Sequence, residues 1–463
     1  MADGNALFDL DEEHRLTAVL AGVIGNTLEW YDFALYGFMA SVLSGLFFPD
    51  SNHLVSLIAT YGVFAVGFIM RPLGSVVFGW MGDTFGRSRT LVLSVAMMAF
   101  PTLCLGLLPV YAQAGVYAPL LLVLVRMVQG LSVGGEFSTS VTYLVETAPA
   151  GRRGVAGSWA NIGSLCGMLL GSGAATAVTS LLTADAMHSW GWRIPFIFGG
   201  VLGAIAIVLR RGLPESPHFK RYQSARCRNS PIVEAFSCNR RETVQGVLFA
   251  SSYGALFYLA LVYLPTWVAQ VTTIPLDSAM RINTLTLALL IPFIPLAGWI
   301  SDRFVRRTHL LAGAILAIGG AGVFLLPWIL ADGGFAALVG QVAMGLFLAV
   351  PLGAAPALFT EQFPEDDRLT AYSIVFNTGL GIVGGTTPVL ASWLILETGS
   401  QLGPLIVLLA AMLSGVTGLI WMRDRSREPL MTQCGISVRH AMSAGREMRE
   451  RGRCPAYAET QAR

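Results

Sequence analysis

Twelve stretches of about twenty mostly apolar residues occupy nearly the whole chain, each long enough to cross a hydrocarbon layer about 30 Å thick as a helix. They lie near residues 17–47, 56–80, 90–110, 118–146, 154–182, 194–210, 243–269, 281–300, 309–330, 336–360, 369–396 and 403–422. In lipid a helix satisfies its own backbone groups and an open sheet does not, so the pattern predicts an all-α integral membrane protein. Composition agrees, with 54% hydrophobic and 13% charged residues, against about 25% charged in soluble domains. A polar break over 212–242 splits the stretches six and six. The expected organisation is a segment 1–16, a first bundle 17–211, a linker 212–242, a second bundle 243–423 and an Arg-rich tail 424–463.

Lys and Arg concentrate on the cytoplasmic side of membrane proteins. Arg15, Arg87, Arg89, Arg152, Arg153, the stretch from Arg210 to Arg241, Arg303, Arg306, Arg307, Arg368 and the tail after Arg423 fall on one side, and only Arg193 and Arg281 on the other. Both termini and the linker are therefore expected in the cytoplasm of a multi-pass cell-membrane protein, in the inner membrane if the source is bacterial. No basic segment precedes the first stretch, which reads as an anchor rather than a cleaved signal. Net charge of +2 gives no field for nucleic acid. Cys104 and Cys166 fall in spans and Cys227, Cys238, Cys434 and Cys454 outside them, without disulfide or zinc spacing. No metal or cofactor is expected. Gly435, Gly445 and Gly452 and the lack of heptads argue against a coiled coil in the tail and leave a solvated segment drawn to anionic headgroups.

The chain also repeats itself. Gly79-Trp-Met-Gly-Asp83-Thr-Phe-Gly86-Arg87 returns 219 positions later as Gly298-Trp-Ile-Ser-Asp302-Arg303-Phe-Val305-Arg306, followed by Arg307. Glu146, Pro149, Arg153 and Ser158 match Glu361, Pro364, Arg368 and Ser373 at an offset of 215. Two correspondences at nearly one offset indicate duplicated halves, the plan of two-bundle secondary transporters. Gly163, Gly167 and Gly171 in the fifth stretch, and Gly381 and Gly385 in the eleventh, allow close helix approach, either as fixed packing or as a seam on which the halves slide.

Charges inside the spans carry the chemistry. Glu29 and Asp32 are three apart, hence neighbours on a helix surface, and about twelve residues into the first span they sit near mid-membrane. A charge there costs roughly 3 kcal/mol or more, and two adjacent carboxylates resist double ionisation, which is what a proton-coupled site requires. Arg71 in the second span is expected at similar depth as a counter-ion. In the fourth span Arg126, Gln129, Val133, Glu136, Ser140 and Tyr143 form one mostly polar face that must meet protein or water. Candidate proton-coupling groups are Glu29, Asp32 and Glu136; the alternative for these charges is a set of structural salt bridges. All six His residues lie in connections or at span ends, which disfavours a histidine relay. The second half offers Tyr253, Phe257, Tyr258, Tyr263, Trp267, Gln341 and Asn377. Candidate substrate ligands are Tyr36, Arg71, Arg126, Gln129, Tyr258, Tyr263 and Asn377; because the spans of the second half hold aromatics and amides but no comparable charge, the first half is expected to manage charge and the second to shape the substrate. No His, Ser or Cys constellation suggests an enzyme, and the tail is too short for the output domain of a receptor.

The turn after the second span resembles the signature loop of the major facilitator superfamily, and Arg126-Met-Val-Gln129-Gly130 and Leu213-Pro214-Glu215-Ser216-Pro217 resemble two further motifs of that superfamily. Gly25-Asn-Thr-Leu-Glu29-Trp-Tyr-Asp32-Phe33, Gln129-Gly-Leu-Ser-Val-Gly-Gly135-Glu136 and Trp190-Gly-Trp-Arg193-Ile-Pro-Phe resemble its metabolite:proton symporter family, whose members carry proline and betaine, 2-oxoglutarate, citrate or shikimate. The resemblance implies two pseudo-symmetric six-helix bundles, a central site near the midplane, alternating access, and a monomer acting on a small molecule, protons and the bilayer. It implies gating roles for Gly79, Asp83, Arg87, Glu146 and Arg153, with Asp83 and Arg87 meeting Glu146 and Arg153, and for Asp302, Arg303 and Arg306 in the second copy. Val305 replaces the usual glycine there, so a looser turn is expected. Phe257-Tyr258, Tyr263-Leu-Pro265-Thr-Trp267 and Phe376-Asn377 are most similar to the proline/betaine branch. The implied activity is proton-coupled uptake of a zwitterion or small organic acid, with proton-linked efflux as the nearest rival.

Overall fold

The computed structural model describes residues 12–49, 53–149, 151–216, 219, 239–365 and 367–431. Twelve long helices follow in order: α1 (Glu12–Phe47), α2 (His53–Phe85), α3 (Arg87–Leu107), α4 (Tyr117–Thr147), α5 (Arg153–Leu181), α6 (Arg193–Arg211), α7 (Arg240–Val271), α8 (Leu276–Arg303), α9 (Arg307–Asp332), α10 (Gly334–Gln362), α11 (Arg368–Thr398) and α12 (Gly403–Ile420). Eleven are long and apolar enough to span by composition alone; the twelfth, α1, carries Glu29 and Asp32 at mid-length. Most of the expected linker, the tail beyond Met431 and four of the six cysteines lie outside the described residues.

The packing is duplicated as the sequence is. α1 packs on α5, α2 on α4 and α3 on α6; correspondingly α7 packs on α11, α8 on α10 and α9 on α12. The halves meet where α2 crosses α11 and where α8 crosses α5, two contacts that the same pseudo-two-fold relation exchanges. Small residues set both crossings. A Cβ added to Gly79 would lie 2.8 Å from the Thr370 Cα, and one added to Gly298 would lie 2.7 Å from the Gly154 carbonyl oxygen, distances that real Cβ atoms do not reach.

The glycine stripe of α5 has a different use from the sliding seam that was one expectation. A Cβ on Gly163, Gly167 or Gly171 would strike the carbonyl oxygen of Val23, Thr27 or Tyr31. The stripe is therefore fixed packing of α5 on α1 inside the first half, which holds the carboxylate-bearing helix in place.

Two helices of the second half contain wide turns, Tyr258–Tyr263 in α7 and Asn377–Gly384 in α11. Such turns leave backbone groups that lipid cannot satisfy. In α7, Gln341 donates to the Ala260 carbonyl at 2.9 Å and Asn283 to the Leu261 carbonyl at 3.0 Å, while Gln341 also donates to Asn283 at 2.8 Å. Those two amides give Gln341 a structural role that its position in the tenth span alone did not reveal.

Candidate functional site

Midway along the helices the two halves enclose a cavity of about 10 Å³, room for about one water. Glu29, Trp30, Arg71, Phe137 and Asn161 line it from the first half, and Tyr253, Phe257, Phe376 and Leu380 from the second. Glu29 and Arg71 are 3.7 Å apart and buried, and no hydrogen bond reaches either Glu29 carboxylate oxygen. The Arg71 guanidinium lies over Phe33 and Phe68, 5.8 and 5.4 Å from the ring centres, with Tyr258 beside it. Trp30 meets Phe257 edge to face at 5.3 Å, and Phe137 stacks on Phe376 at 4.7 Å. Aromatic rings from both halves thus wall one carboxylate and one guanidinium.

A second charge centre sits inside the first half. Asp32 pairs with Arg126 at 2.5 Å and accepts from Gln129 and Thr102, each at 3.0 Å. Arg126 lies over the Tyr36 ring, 3.8 Å from its centre, and Tyr36 donates to the Thr60 carbonyl at 3.0 Å. None of these six residues lines the cavity; Tyr36, Arg126 and Gln129, expected as substrate ligands, stand around Asp32 and its arginine in this state.

Glu136 belongs to a third centre. It pairs with Arg210 at 2.5 Å and accepts from the Ser94 hydroxyl. Arg210, expected at the end of the sixth span as one of the cations on the cytoplasmic side, is fully buried and also donates to the Ala21 and Leu91 carbonyls at 2.9 and 2.8 Å. A long cation at a helix end ordinarily keeps its head in water; here Glu136 and two carbonyls hold the guanidinium inside instead. Gly25 makes the room, since a Cβ there would strike both Arg210 and Glu136.

The end of the bundle bearing the Arg-rich turns is closed by two equivalent locks. Asp83 accepts from the Thr370 amide at 2.7 Å, the Thr370 hydroxyl at 2.7 Å and the Leu369 amide at 3.3 Å, all in the first turn of α11. Asp302 accepts from the Gly154 and Val155 amides at 2.8 and 3.0 Å, in the first turn of α5. Each signature-loop carboxylate thus caps a helix of the opposite half, where orphan amides and the positive dipole end favour an anion. Glu146 joins Arg87 at 3.4 Å to Arg368 of the other half at 2.7 Å. Glu361 joins Arg307 at 3.0 Å to Arg153 of the other half at 3.5 Å.

Three expectations are corrected here. Arg153 pairs with Glu361 rather than joining Asp83, Arg87 and Glu146, and Arg368 takes the place expected of it. Arg303 and Arg306 are exposed, and the cation of the second lock is Arg307, which bonds Asp302 at 3.1 Å and Glu361. The reason is Val305. Gly86 turns the first loop at φ 110°, a conformation costly for a side chain, so the second loop takes one residue more and its cation moves from Arg306 to Arg307.

The segments after α6 and α12 extend the duplication. Glu215 accepts from the Arg87 amide at 2.9 Å at the start of α3, and Asp424 accepts from the Thr308 amide at 2.8 Å at the start of α9. From Asp424 the chain runs as a strap across the closed end, its Glu428 and Met431 carbonyls receiving Arg153 at 2.8 Å and Arg368 at 2.7 Å. Of the remaining candidates, Tyr263 accepts from Ser392 at 3.1 Å within the second half, and Asn377 donates to the Gly134 carbonyl across the seam at 2.7 Å. Trp30, Phe137, Asn161 and Leu380 line the cavity without having been singled out. Asn161, a polar residue in an apolar span, carried a usable signal; the other three are indistinguishable in sequence from packing residues.

A central cavity between pseudo-symmetric bundles, locked at one end, is the architecture of a two-bundle membrane transporter of the major facilitator fold. The chain matches the family described as "Sugar (and other) transporter" over residues 17–231 and "Major Facilitator Superfamily" over 271–433. It is 31% identical to the proline/betaine transporter of Salmonella typhimurium over 91% of this chain and 86% of that protein. It is 30% identical to the proline/betaine transporter of Escherichia coli K12, with the same coverage. The chain belongs to the major facilitator superfamily and, within it, to the metabolite:proton symporter family. Its fold is shared with the proton:xylose symporter XylE, with a TM-score of 0.74 at 18% identity over 91% of this chain and 98% of that one. The inward-open form of XylE scores 0.60, at 17% identity over 90% and 98% of the two chains.

Proposed function

We propose that the protein is a proton-coupled symporter that brings a small zwitterion, of the proline or betaine class, into the cell by alternating access. The carrying observation is the cavity itself: its charged lining is Glu29 and Arg71, 3.7 Å apart among aromatic rings. A zwitterion supplies a carboxylate for Arg71 and a cation for Glu29, and aromatic faces attract a secondary or quaternary ammonium. A neutral sugar could offer both groups hydroxyls but no countercharge, so it would part the Glu29–Arg71 pair without replacing the charge that either one loses. The curated relatives' names accord with this class. Glu29 thereby becomes a substrate ligand rather than the proton carrier.

The proton is assigned to Asp32. Its pair with Arg126 lies apart from the charges offered to substrate, and protonation removes one member of a buried pair and frees Arg126 from α1. Glu136, held by Arg210 and Ser94, is read as a structural centre. The locked end is assigned to the cytoplasm by its cations, which puts the linker and the tail there and makes the described state one closed to the cytoplasm. The lower fold likeness to an inward-open transporter accords with that assignment. The protein is taken to act as a monomer.

The test is uptake of labelled proline and glycine betaine into membrane vesicles, with and without a pH gradient acid outside. Wild-type protein is expected to accumulate one of them uphill only with the gradient. Asp32→Asn should retain exchange and lose accumulation, and Glu29→Gln should raise the half-saturation concentration. Full gradient-driven accumulation by Asp32→Asn would remove the proton from Asp32; uptake driven by an alkaline exterior would favour efflux exchange instead.

A further inference from the structure

Two side-chain amides reach across the seam within the spans, one from each half. Asn161 on α5 donates to the Leu352 carbonyl on α10 at 2.6 Å, and Asn377 on α11 donates to the Gly134 carbonyl on α4 at 2.7 Å. The repeat relates α5 to α11 and α4 to α10, so these are counterpart clasps between equivalent helices rather than exact copies: the asparagines stand 216 positions apart and the acceptors 218, against the repeat offset of 215. The two differ in what they hold. Pro356 follows Leu352 by four residues inside α10 and has no N–H, so the Leu352 carbonyl lacks its helical donor. Asn161 supplies the missing hydrogen bond, and at this depth an unmet carbonyl is costly. Gly134 has Ser138 four residues on, with an ordinary amide, so its clasp is supplementary.

Asn161 also faces the site. It lines the cavity with Glu29 and Arg71, and its carbonyl accepts from the Tyr253 hydroxyl at 3.3 Å. An amide nitrogen carries two hydrogens; one goes to Leu352, and among the described residues the other has no acceptor. An oxygen of a ligand in the cavity is the acceptor within its reach. Asn377 has no such view, since it does not line the cavity.

We infer that Asn161 is the positioning residue that transmits cavity occupancy to the locked end: a ligand oxygen draws its amide away from the Leu352 carbonyl, and the loss of that bond lets α5 and α10 part. Asn377 is the fixed clasp of the pair and answers to no ligand. Unloaded protein stays locked because the orphaned carbonyl has no other donor, which limits opening without substrate. The inference rests on the zwitterion symport reading for the identity of the ligand, but the clasp itself does not.

The experiment places one cysteine at Thr142 in a cysteine-free background. The Thr142 hydroxyl is buried without a hydrogen-bond partner, one turn along α4 from Ser138, which bonds Ser373 across the seam at 2.5 Å, so Thr142→Cys disturbs little and is shielded until the end opens. Alkylation by a permeant maleimide is followed with and without saturating proline or glycine betaine. Asn161→Ala is expected to raise the ligand-free rate about two- to tenfold, the weight of one net hydrogen bond, and to abolish any ligand-induced increase. Asn377→Ala should raise the ligand-free rate and keep the ligand response. Pro356→Ala restores an amide for Leu352, so adding Asn161→Ala to it should change the ligand-free rate by less than twofold. An unchanged ligand-free rate in Asn161→Ala, or a ligand response like wild type, overturns the inference. If neither compound moves the wild-type rate, the substrate reading fails, while the ligand-free comparisons still decide the clasp.

Discussion

Asp83→Asn removes the charge from one lock and keeps its shape. In the closed state the Asp83 carboxylate accepts three hydrogen bonds from the first turn of α11 and faces Arg87 at 3.0 Å. An anion at a helix N-terminus in a partly buried geometry contributes up to about 2 kcal/mol, and a charge-assisted hydrogen bond about 1.5–3 kcal/mol. The amide oxygen of Asn retains part of the bonding, and Arg87 keeps Glu146, so the closed state should lose about 2–3 kcal/mol. That is about 30- to 150-fold in the equilibrium between closed and open ends. Asp302 caps α5 with two bonds rather than three, so Asp302→Asn should shift the same equilibrium in the same direction by somewhat less. The Thr142→Cys reporter in vesicles reads both as faster alkylation, and uptake should slow because the state closed at this end is less populated. Equal reporter rates in wild type and Asp83→Asn would refute the capping argument. So would opposite shifts in the two variants, because the pseudo-two-fold relation requires one sign.

Gly167→Val places methyl groups against the Thr27 carbonyl and should destabilise the first half by at least about 1–3 kcal/mol, read as a lower melting temperature in detergent. Gly173→Ala, with nothing within 4 Å of the new Cβ, should melt at or above wild type. Arg210→Ala strands Glu136 as a buried charge and should cost about 3–5 kcal/mol, whereas Arg210→Met with Glu136→Gln should recover most of it; a double variant as unstable as the single one would count against the pair being structural. The strap depends on Asp424. Burial works against its charged form, but hydrogen bonds from Ser426 and Thr308 outweigh this and hold the carboxyl below the usual carboxylate range. A group with a depressed folded value contributes fully above its unfolded value and loses that contribution as pH falls through the folded one. The strap should therefore stay anchored at neutral pH and release only in acid below the ordinary Asp range, and Asp424→Asn should release it at pH 7, read as faster proteolysis after Ile420.

How much of this was legible in sequence follows from what each feature depends on. Hydrophobic length alone gave twelve spans, because lipid forces each to be a helix. The repeat pointed to the two turns, and the family resemblance to Asp83, Arg87 and Glu146 meeting at the first, positions that a local turn and a helix start fix; the partner of Arg153 and the cation of the second turn lay outside that reading. What failed was register: the shift from Arg306 to Arg307 depends on a backbone conformation that Gly86 reaches and Val305 does not. The three carboxylates of the first half looked equivalent as deep charges, yet one faces the cavity, one meets Arg126 and one meets Arg210. Helical periodicity places a side chain on a face but does not say which neighbour occupies that face. Arg210 was missed for the opposite reason, since a cation at a helix end reads as solvated unless a Gly25 on another helix leaves it space.

The character of the closed end also fits a contact that has to break in every cycle. An apolar seam would grow more stable with each buried methylene and would resist opening. Here the halves are joined instead by Arg87–Glu146–Arg368 and Arg307–Glu361–Arg153, by two carboxylates on helix starts, and by glycines that bring backbones together without interlocking side chains. Buried ion networks add little net stability over an apolar equivalent, while the pairs here set which residues of the two halves meet. The seam is thus specific without being deep. On that footing, replacing Glu146 and Arg368 together by Gln and Met should leave overall melting near wild type while slowing reopening of the end, whereas a large loss of melting temperature would show that the network holds the fold itself.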